Sequence, residues 1–233
     1  MKLELNPIPE FPGMDGWQSI RIEERDEPLI SLSCVSERMI VRPYYQQCGI
    51  PRALDDVWLR EGAAQRLLQA LELLPAAYKL VLYDGWRPLA VQRYLYDDFK
   101  AKLMREHPSV TGEALDRLVA QYVSLPNTDP RNPSPHLTGG SIDLGLADAD
   151  GRELDMGSPF DDFTDRSNTS YYETHDVAQG GRYRELRRLL YHVLTEVGFT
   201  NYHKEWWHFD YGNQFWAKVK GDTDAVYGYI TLT

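Results

Sequence analysis

Apolar residues recur along this chain with two different periods, which divide it into helices and strands. Leu59, Ala63, Leu67, Leu71 and Leu74 fall three or four apart, so they share one face of a helix over 59–74 that Pro75 ends. Val91, Leu95, Phe99 and Leu103 repeat that spacing in a second helix, and Pro88 suits its first position. Leu115, Leu118, Val119 and Tyr122 predict a third helix over 113–122. Leu186, Leu189, Leu190, Val193, Leu194 and Val197 predict a fourth over 183–197, stopped by Gly198 as its C-cap. Short apolar or alternating runs predict strands within 17–43 and at 79–83, 142–146, 199–202 and 205–211, the last two paired as a hairpin. Residues 215–219 and 226–232 read as edge strands. The run 125–135 holds four prolines and predicts a long loop, and 152–181 reads as irregular. Helices and strands are partly segregated along the chain. That order predicts an α+β fold, a mostly antiparallel sheet with helices packed on one side. No repeat or break in composition divides the chain, so 1–233 reads as a single domain.

Composition narrows the class. A chain of 233 residues is long enough to bury a sizeable core. Its net charge of -10 argues against a nucleic-acid surface and favours a small or cationic partner. No stretch approaches the roughly 20 apolar residues that a membrane span needs, so no membrane partner is expected. Cys34 and Cys48 are too few for a disulfide scaffold and fit no zinc ribbon; two ordinary thiols are expected, with a single disulfide as the alternative. Residues 1–16 lack a basic region followed by an apolar run, and a cytoplasmic location is expected. Nothing in the pattern implies an oligomeric state.

Chemistry concentrates in three places. Ser134-Pro135-His136-Leu137-Thr138-Gly139-Gly140-Ser141-Ile142-Asp143 sets a histidine and an aspartate seven residues apart across a glycine pair. The pair lets the backbone turn tightly enough to aim both side chains at one point. Glu205-Trp206-Trp207-His208 offers another imidazole and a carboxylate. His136, Asp143 and His208 then supply three ligands for one zinc ion, leaving a position open. Glu205 is left free as a base for an attacking water. Glu205 and His208, three apart, lie on opposite faces of a regular strand, so the strand must bulge or end between them. In Asp84-Gly85-Trp86-Arg87-Pro88, Arg87 can stabilise a developing oxyanion if it points into the same pocket. Taken singly, each of these is also what a loop histidine, a capping aspartate or a surface ion pair looks like.

Taken together and in order, the three segments resemble the signature segments of the zinc D-alanyl-D-alanine dipeptidases of the VanX type. That group is related to zinc D-alanyl-D-alanine carboxypeptidases. The resemblance spans residues 79 to 211. It implies that His136, Asp143 and His208 bind zinc, that Glu205 is the catalytic base, and that Arg87 stabilises the tetrahedral intermediate. It implies that Ser134 lines the pocket for the substrate's C-terminal end. Met156-Gly157-Ser158-Pro159-Phe160-Asp161 resembles a further segment of the family, which makes Asp161 the partner of the substrate's free amino group. An aromatic side chain that helps hold that group falls among Tyr44, Tyr45 and others. Gln46-Gln47-Cys48-Gly49 stands where the family has an Asn-Phe-x-Gly run, and the chain after His208 departs from the resistance enzymes.

The expected activity is therefore zinc-dependent hydrolysis of D-alanyl-D-alanine or a similar short D,D-dipeptide. One rival is a D,D-carboxypeptidase acting on peptidoglycan stem peptides. Another is a non-catalytic zinc-binding domain, which would lack the base or the arginine.

Overall fold

The computed structural model describes residues 3–11, 13–120, 122–175 and 180–232. Its strands are β1 (Arg21–Ile22), β2 (Leu29–Ser31), β3 (Met39–Val41), β4 (Trp58–Arg60), β5 (Tyr78–Asp84), β6 (Ser141–Asp148), β7 (Thr200–Asn201), β8 (His208–Asp210) and β9 (Asp224–Ala225). Its helices are α1 (Tyr44–Gln47), α2 (Glu61–Leu73), α3 (Leu89–Glu106), α4 (Gly112–Val119), α5 (Tyr171–Thr174), α6 (Gly180–Glu196) and α7 (Gln214–Lys220).

Alternation along β6 organises the molecule. Its even positions, Ile142, Leu144 and Leu146, are fully buried in the core that holds Leu67 and Leu71 of α2 and Leu190 and Leu194 of α6. Its odd positions point the other way, and Asp143 among them faces a cavity. Five strands form the main sheet in the order β3-β5-β6-β8-β7. β3 runs parallel to β5, and every other neighbouring pair in this sheet is antiparallel. The fold is thus α+β with a mostly antiparallel sheet, as the segregation of periods predicted. α2 and α6 cover one face together. α3 and α4 pack on each other around Tyr96, Phe99, Leu115 and Val119, a second apolar cluster that walls the cavity.

Most elements stand where the periodicity put them. The α2 region begins with a strand: Leu59 belongs to β4, which pairs antiparallel with β2, and the helix starts at Glu61. The third predicted helix ends at Val119, and position 121 lies outside the described residues, as do 176–179 of the segment read as irregular. The hairpin of β7 and β8 forms with Thr200 opposite Asp210. The two predicted edge strands do not form. Residues 214–220 make α7 instead: the Asn213 side chain accepts the backbone N–H of Trp216 at its start, and Gly221 ends it at a φ of 76°. A short apolar run has no period of its own, and here the caps decide. Among the described residues the one regular strand near the end is β9, which pairs parallel with β1.

The chain's early and late segments are drawn in behind the cavity by one buried arginine. Arg60, 1% exposed, donates to the carbonyls of Thr138, Glu27 and Gly228 and to the carboxylate of Glu24. Ile230 then donates its N–H to the carbonyl of Leu137, and its own carbonyl accepts the indole N–H of Trp86. Backbone from residues 227–230 thereby braces both the His136 turn and the Arg87 turn.

Leu67 is fully buried between α2 and the sheet. Leu67→Ala should lower the free energy of unfolding by about 2–5 kcal/mol, read from denaturant titration. A loss under about 1 kcal/mol would mean that this face is not the core.

Candidate active site

Three elements carry the metal-binding candidates. His136 sits on a single 3-10 turn, Pro135–Thr138, that Pro135 opens and Gly139 closes at a φ of 70°. Gly140 follows against the carbonyl of Tyr211, where a Cβ would collide, so the turn needs a glycine there. Asp143 is on β6, and His208 opens β8 directly opposite it in the register. The strand expected over 205–211 starts only at His208. Glu205 lies in the turn before it, with the N–H of His208 donating to the Glu205 carbonyl at 3.2 Å. The strand's end thus frees Glu205 from the opposite-face constraint.

The three side chains meet. His136 Nε2 is 3.2 Å from His208 Nδ1 and 3.4 Å from Asp143 Oδ2, and His208 Nδ1 is 3.0 Å from Asp143 Oδ1. All three residues are buried, and one ligand atom from each lies within 4.8 Å of the others. Donors on a tetrahedral zinc with bonds of roughly 2.0–2.2 Å stand about 3.3 Å apart, so this triangle has the edge lengths of a zinc site. The tautomers also fit. His136 donates from Nδ1 to the carbonyl of Gly85 at 2.8 Å, which leaves Nε2 as its free lone pair. His208 donates from Nε2 to Asp210 Oδ2 at 3.0 Å, which leaves Nδ1. Asp210 in turn accepts from Ser141 Oγ and Asn213 Nδ2, both at 2.6 Å.

Arg87 enters from the turn after β5. Its Nε donates to Asp84 at 2.8 Å and its Nη1 to Gln92 at 2.7 Å. Its Nη2 has only contacts of 3.4 Å, to Tyr45 Oη and Asp143 Oδ2. That corner of the fork is left to face the cavity, so Asp84 and Gln92 aim the guanidinium rather than consume it. Glu205 Oε2 lies 3.8 Å from His208 Nδ1. Arg87, His136, Asp143, Asp161, Glu205 and His208 all line one cavity of about 140 Å³. Tyr45 stands between Arg87 and Asp161, donating to Asp161 Oδ1 at 3.4 Å with its ring under the guanidinium. Ser134 does not line this cavity. Its hydroxyl donates to the carbonyl of Leu125 at 2.5 Å and accepts the N–H of Asn127 at 2.9 Å, pinning the proline-rich loop. The histidines at 107, 175, 192 and 203 do not line it either.

Sequence reading missed Asp84, Gln92 and Asp210. Asp210 had a signal, since two positions along a strand return to the same face and His208 was already singled out. Gln92 had none, because its partner is set by how α3 leaves the turn.

Burial in a ring of carboxylates distorts the titration of the site. Burial pushes the Glu205 carboxyl up to about 8; His208 and Arg87 oppose this, and Asp143 and Asp161 add to it. Burial lifts Asp161 to about 6 against the pull of Arg87. Burial would raise Asp143 too, but His136 and His208 more than offset it and hold the carboxyl well below the usual range. Burial opposes charge on His208, yet Asp210 and Asp143 hold its pKa well above 6.5. A bound dication replaces that imidazolium proton, so metal uptake here releases protons and weakens as pH falls.

Two imidazoles and a carboxylate that could hold a metal ion, a second buried carboxylate beside them and a cavity-facing guanidinium make the kind of constellation a metallopeptidase uses. Comparison with known proteins agrees with that class. The family model for peptidase M15, D-ala-D-ala dipeptidase, matches residues 56–223. A D-alanyl-D-alanine dipeptidase from Synechocystis is 30% identical over 218 residues, covering 86% of this chain and 88% of the relative. One from Escherichia coli is 33% identical over 153 residues, 65% of each chain. Among solved structures, the vancomycin-resistance D,D-pentapeptidase VanY in complex with Zn(II) is 16% identical, covers 88% of this chain and 96% of its own, and has a TM-score of 0.47. On the match over 56–223, the chain belongs to the D-ala-D-ala dipeptidase family.

Two outcomes follow from the site. Glu205, Asp161 and His208 hold protons more tightly in the folded chain than in the unfolded one. Stability of the chelator-stripped protein should therefore fall as pH rises from about 5 through about 8, whereas the contributions of Asp143 and Asp210 are complete by about pH 5. Thermal midpoints with chelator should be higher at about pH 6 than at about pH 9, and a flat or rising profile would contradict the pKa assignments. Asp210→Asn should weaken zinc binding about 10- to 100-fold in a chelator competition, because His208 loses its orienting partner. Unchanged affinity would show that His208 is held by other means.

Proposed function

We propose that this D,D-dipeptidase acts on D-alanyl-D-alanine, or a similarly short D,D-dipeptide, with one zinc ion held by His136, Asp143 and His208. The observation that carries the reading is the convergence of base, guanidinium and ligand triangle in one small cavity. When bound, zinc supplies Lewis acidity, which acidifies water and polarises a carbonyl. The chain's own groups do the rest. Glu205 takes a proton from the attacking water on its carboxylate and passes it to the nitrogen of the leaving amino acid. Arg87 presents Nη2 to the carbonyl oxygen as negative charge develops there. Asp161, beside Tyr45, accepts the substrate's ammonium and disfavours peptides whose amino end is acylated. Ser134 supports the C-terminal side of the pocket through the 125–134 loop that it pins, next to the cavity-lining Pro135. The neighbouring tryptophans Trp206 and Trp207 are 2% exposed each and keep the base's surroundings dry.

Glu205 and Arg87 both line the cavity, which favours catalysis over a structural metal site. We place the activity in the cytoplasm, in the turnover of cell-wall precursors. Cys34 and Cys48 are both exposed and unpaired, which fits a reducing compartment. No helix among the described residues is long and apolar enough to cross a membrane.

A substrate panel tests the reading. Zinc-loaded protein should release alanine from D-Ala-D-Ala, and not from L-Ala-L-Ala or N-acetyl-D-Ala-D-Ala. Cleavage of only the acylated form would make it a carboxypeptidase, and no release from the free D,D-dipeptide would end the proposal. Glu205→Ala should lower kcat by about 10²- to 10⁴-fold while zinc content stays unchanged. Loss of the metal instead would reassign Glu205 as a ligand.

A further inference from the structure

One buried cation is not used by the chemistry above. Arg187 lies on α6, 2% exposed, and no carboxylate among the described residues forms an ion pair with it. Burial pulls its pKa down to about 9, and Tyr172 and the more distant Asp155 offset only part of this, so the site carries an electrostatic cost. What offsets that cost is a set of backbone carbonyls. Nε donates to Met156 O at 2.8 Å, Nη1 to Asn168 O at 2.7 Å and Nη2 to Arg166 O at 2.7 Å. A longer contact of 3.4 Å joins Nη2 to Ser158 Oγ. The guanidinium also lies over the Tyr172 ring, 4.8 Å from its centroid.

These acceptors come from both ends of a single loop. Met156 and Ser158 stand on its entering stem, Arg166 and Asn168 on its leaving stem, and Asp161 lies between them. Asp161 has a φ of 63°, a left-handed conformation that a residue with a Cβ rarely adopts. Such a conformation persists only where the surroundings over-determine it. From the tip, Phe160 stacks on Tyr83 and meets Tyr44 edge-on, which fixes the loop's other end. Arg187 closes the base.

We propose that Arg187 is the positioning residue for recognition of the substrate's amino end: by clasping both stems of the 156–168 loop it holds Asp161 at the cavity. The inference rests on the reading of Asp161 as the ammonium partner. Lysine cannot replace Arg187, because a single ammonium cannot serve three carbonyls in a planar fork. The clasp acts on binding of the free amine and not on the metal or the base, so its signature is in KM and in selectivity.

The test uses zinc-loaded Arg187→Lys, with Asp161→Asn beside it. Arg187→Lys should raise KM for D-Ala-D-Ala about tenfold, change kcat by less than about threefold, and keep its zinc. Its preference for the free dipeptide over N-acetyl-D-Ala-D-Ala should shrink in proportion. Amide hydrogen exchange over 156–168 should quicken while exchange in β6 stays unchanged. In the double variant the KM increases should fall short of multiplying, because both changes remove one interaction. If Arg187→Lys does not fold, Tyr172→Leu removes the ring under the guanidinium and should raise KM about threefold. A KM raised in Asp161→Asn but unchanged in the folded Arg187 or Tyr172 variant overturns the proposal alone. A KM unchanged in Asp161→Asn overturns the reading beneath it, and the proposal falls with it.

Discussion

Repulsion among buried carboxylates is the constraint on which the rest of the structure depends. Asp84, Asp143, Asp161, Glu205 and Asp210 converge around one cavity, faced by the Arg87 guanidinium and two imidazoles. Burial raises the pKa of Glu205 and Asp161 most, and the neighbouring carboxylates add to it. The cluster is tolerable because most of these carboxylates have a partner. Arg87 donates to Asp84, Ser141 and Asn213 donate to Asp210, Tyr45 donates to Asp161, and Asp143 lies against the two imidazoles. A dication held by the three side chains would relieve the remainder.

Around this centre the fold supplies aim. Neither histidine is free to choose its metal-facing nitrogen, since Gly85 and Asp210 occupy the other one. Arg87 is likewise held by Asp84 and Gln92, so that only Nη2 is left loosely engaged. The orienting bonds come from the same strand, as for His208, or from a neighbouring element, as for His136 and Arg87. Site geometry is therefore inherited from sheet register and from the exit angles of turns. The carbonyl-binding arginines, Arg60 and Arg187, extend this inward bracing to the His136 turn and the Asp161 loop. Much of the Arg60 brace runs through residues outside the 56–223 family match, namely Glu24, Glu27, Gly228 and Ile230.

The sequence by itself determined the elements whose hydrophobic period is long, and the residue types whose chemistry is specific. Four leucines and two valines at helical spacing over 186–197 need no tertiary partner to be read as an amphipathic face. The apolar run Ile142 to Leu146 likewise announces a strand. The ordered occurrence of Arg87, His136, Asp143, Glu205 and His208 in their motifs named the site before any distance was known.

Tertiary structure alone decided the rest. Residues 215–219 became a helix because Asn213 and Gly221 cap it, a local contest that apolar content does not settle. Ser134 turned from the pocket because its hydroxyl is satisfied by Leu125 and Asn127. Tyr45 was singled out from its neighbour Tyr44 because its hydroxyl lies between Arg87 and Asp161. Gln92 and Arg187 had no motif at all. Their roles are hydrogen bonds between positions far apart in the chain, or across a turn, and a hydrogen bond depends on a few tenths of an ångström that only packing sets.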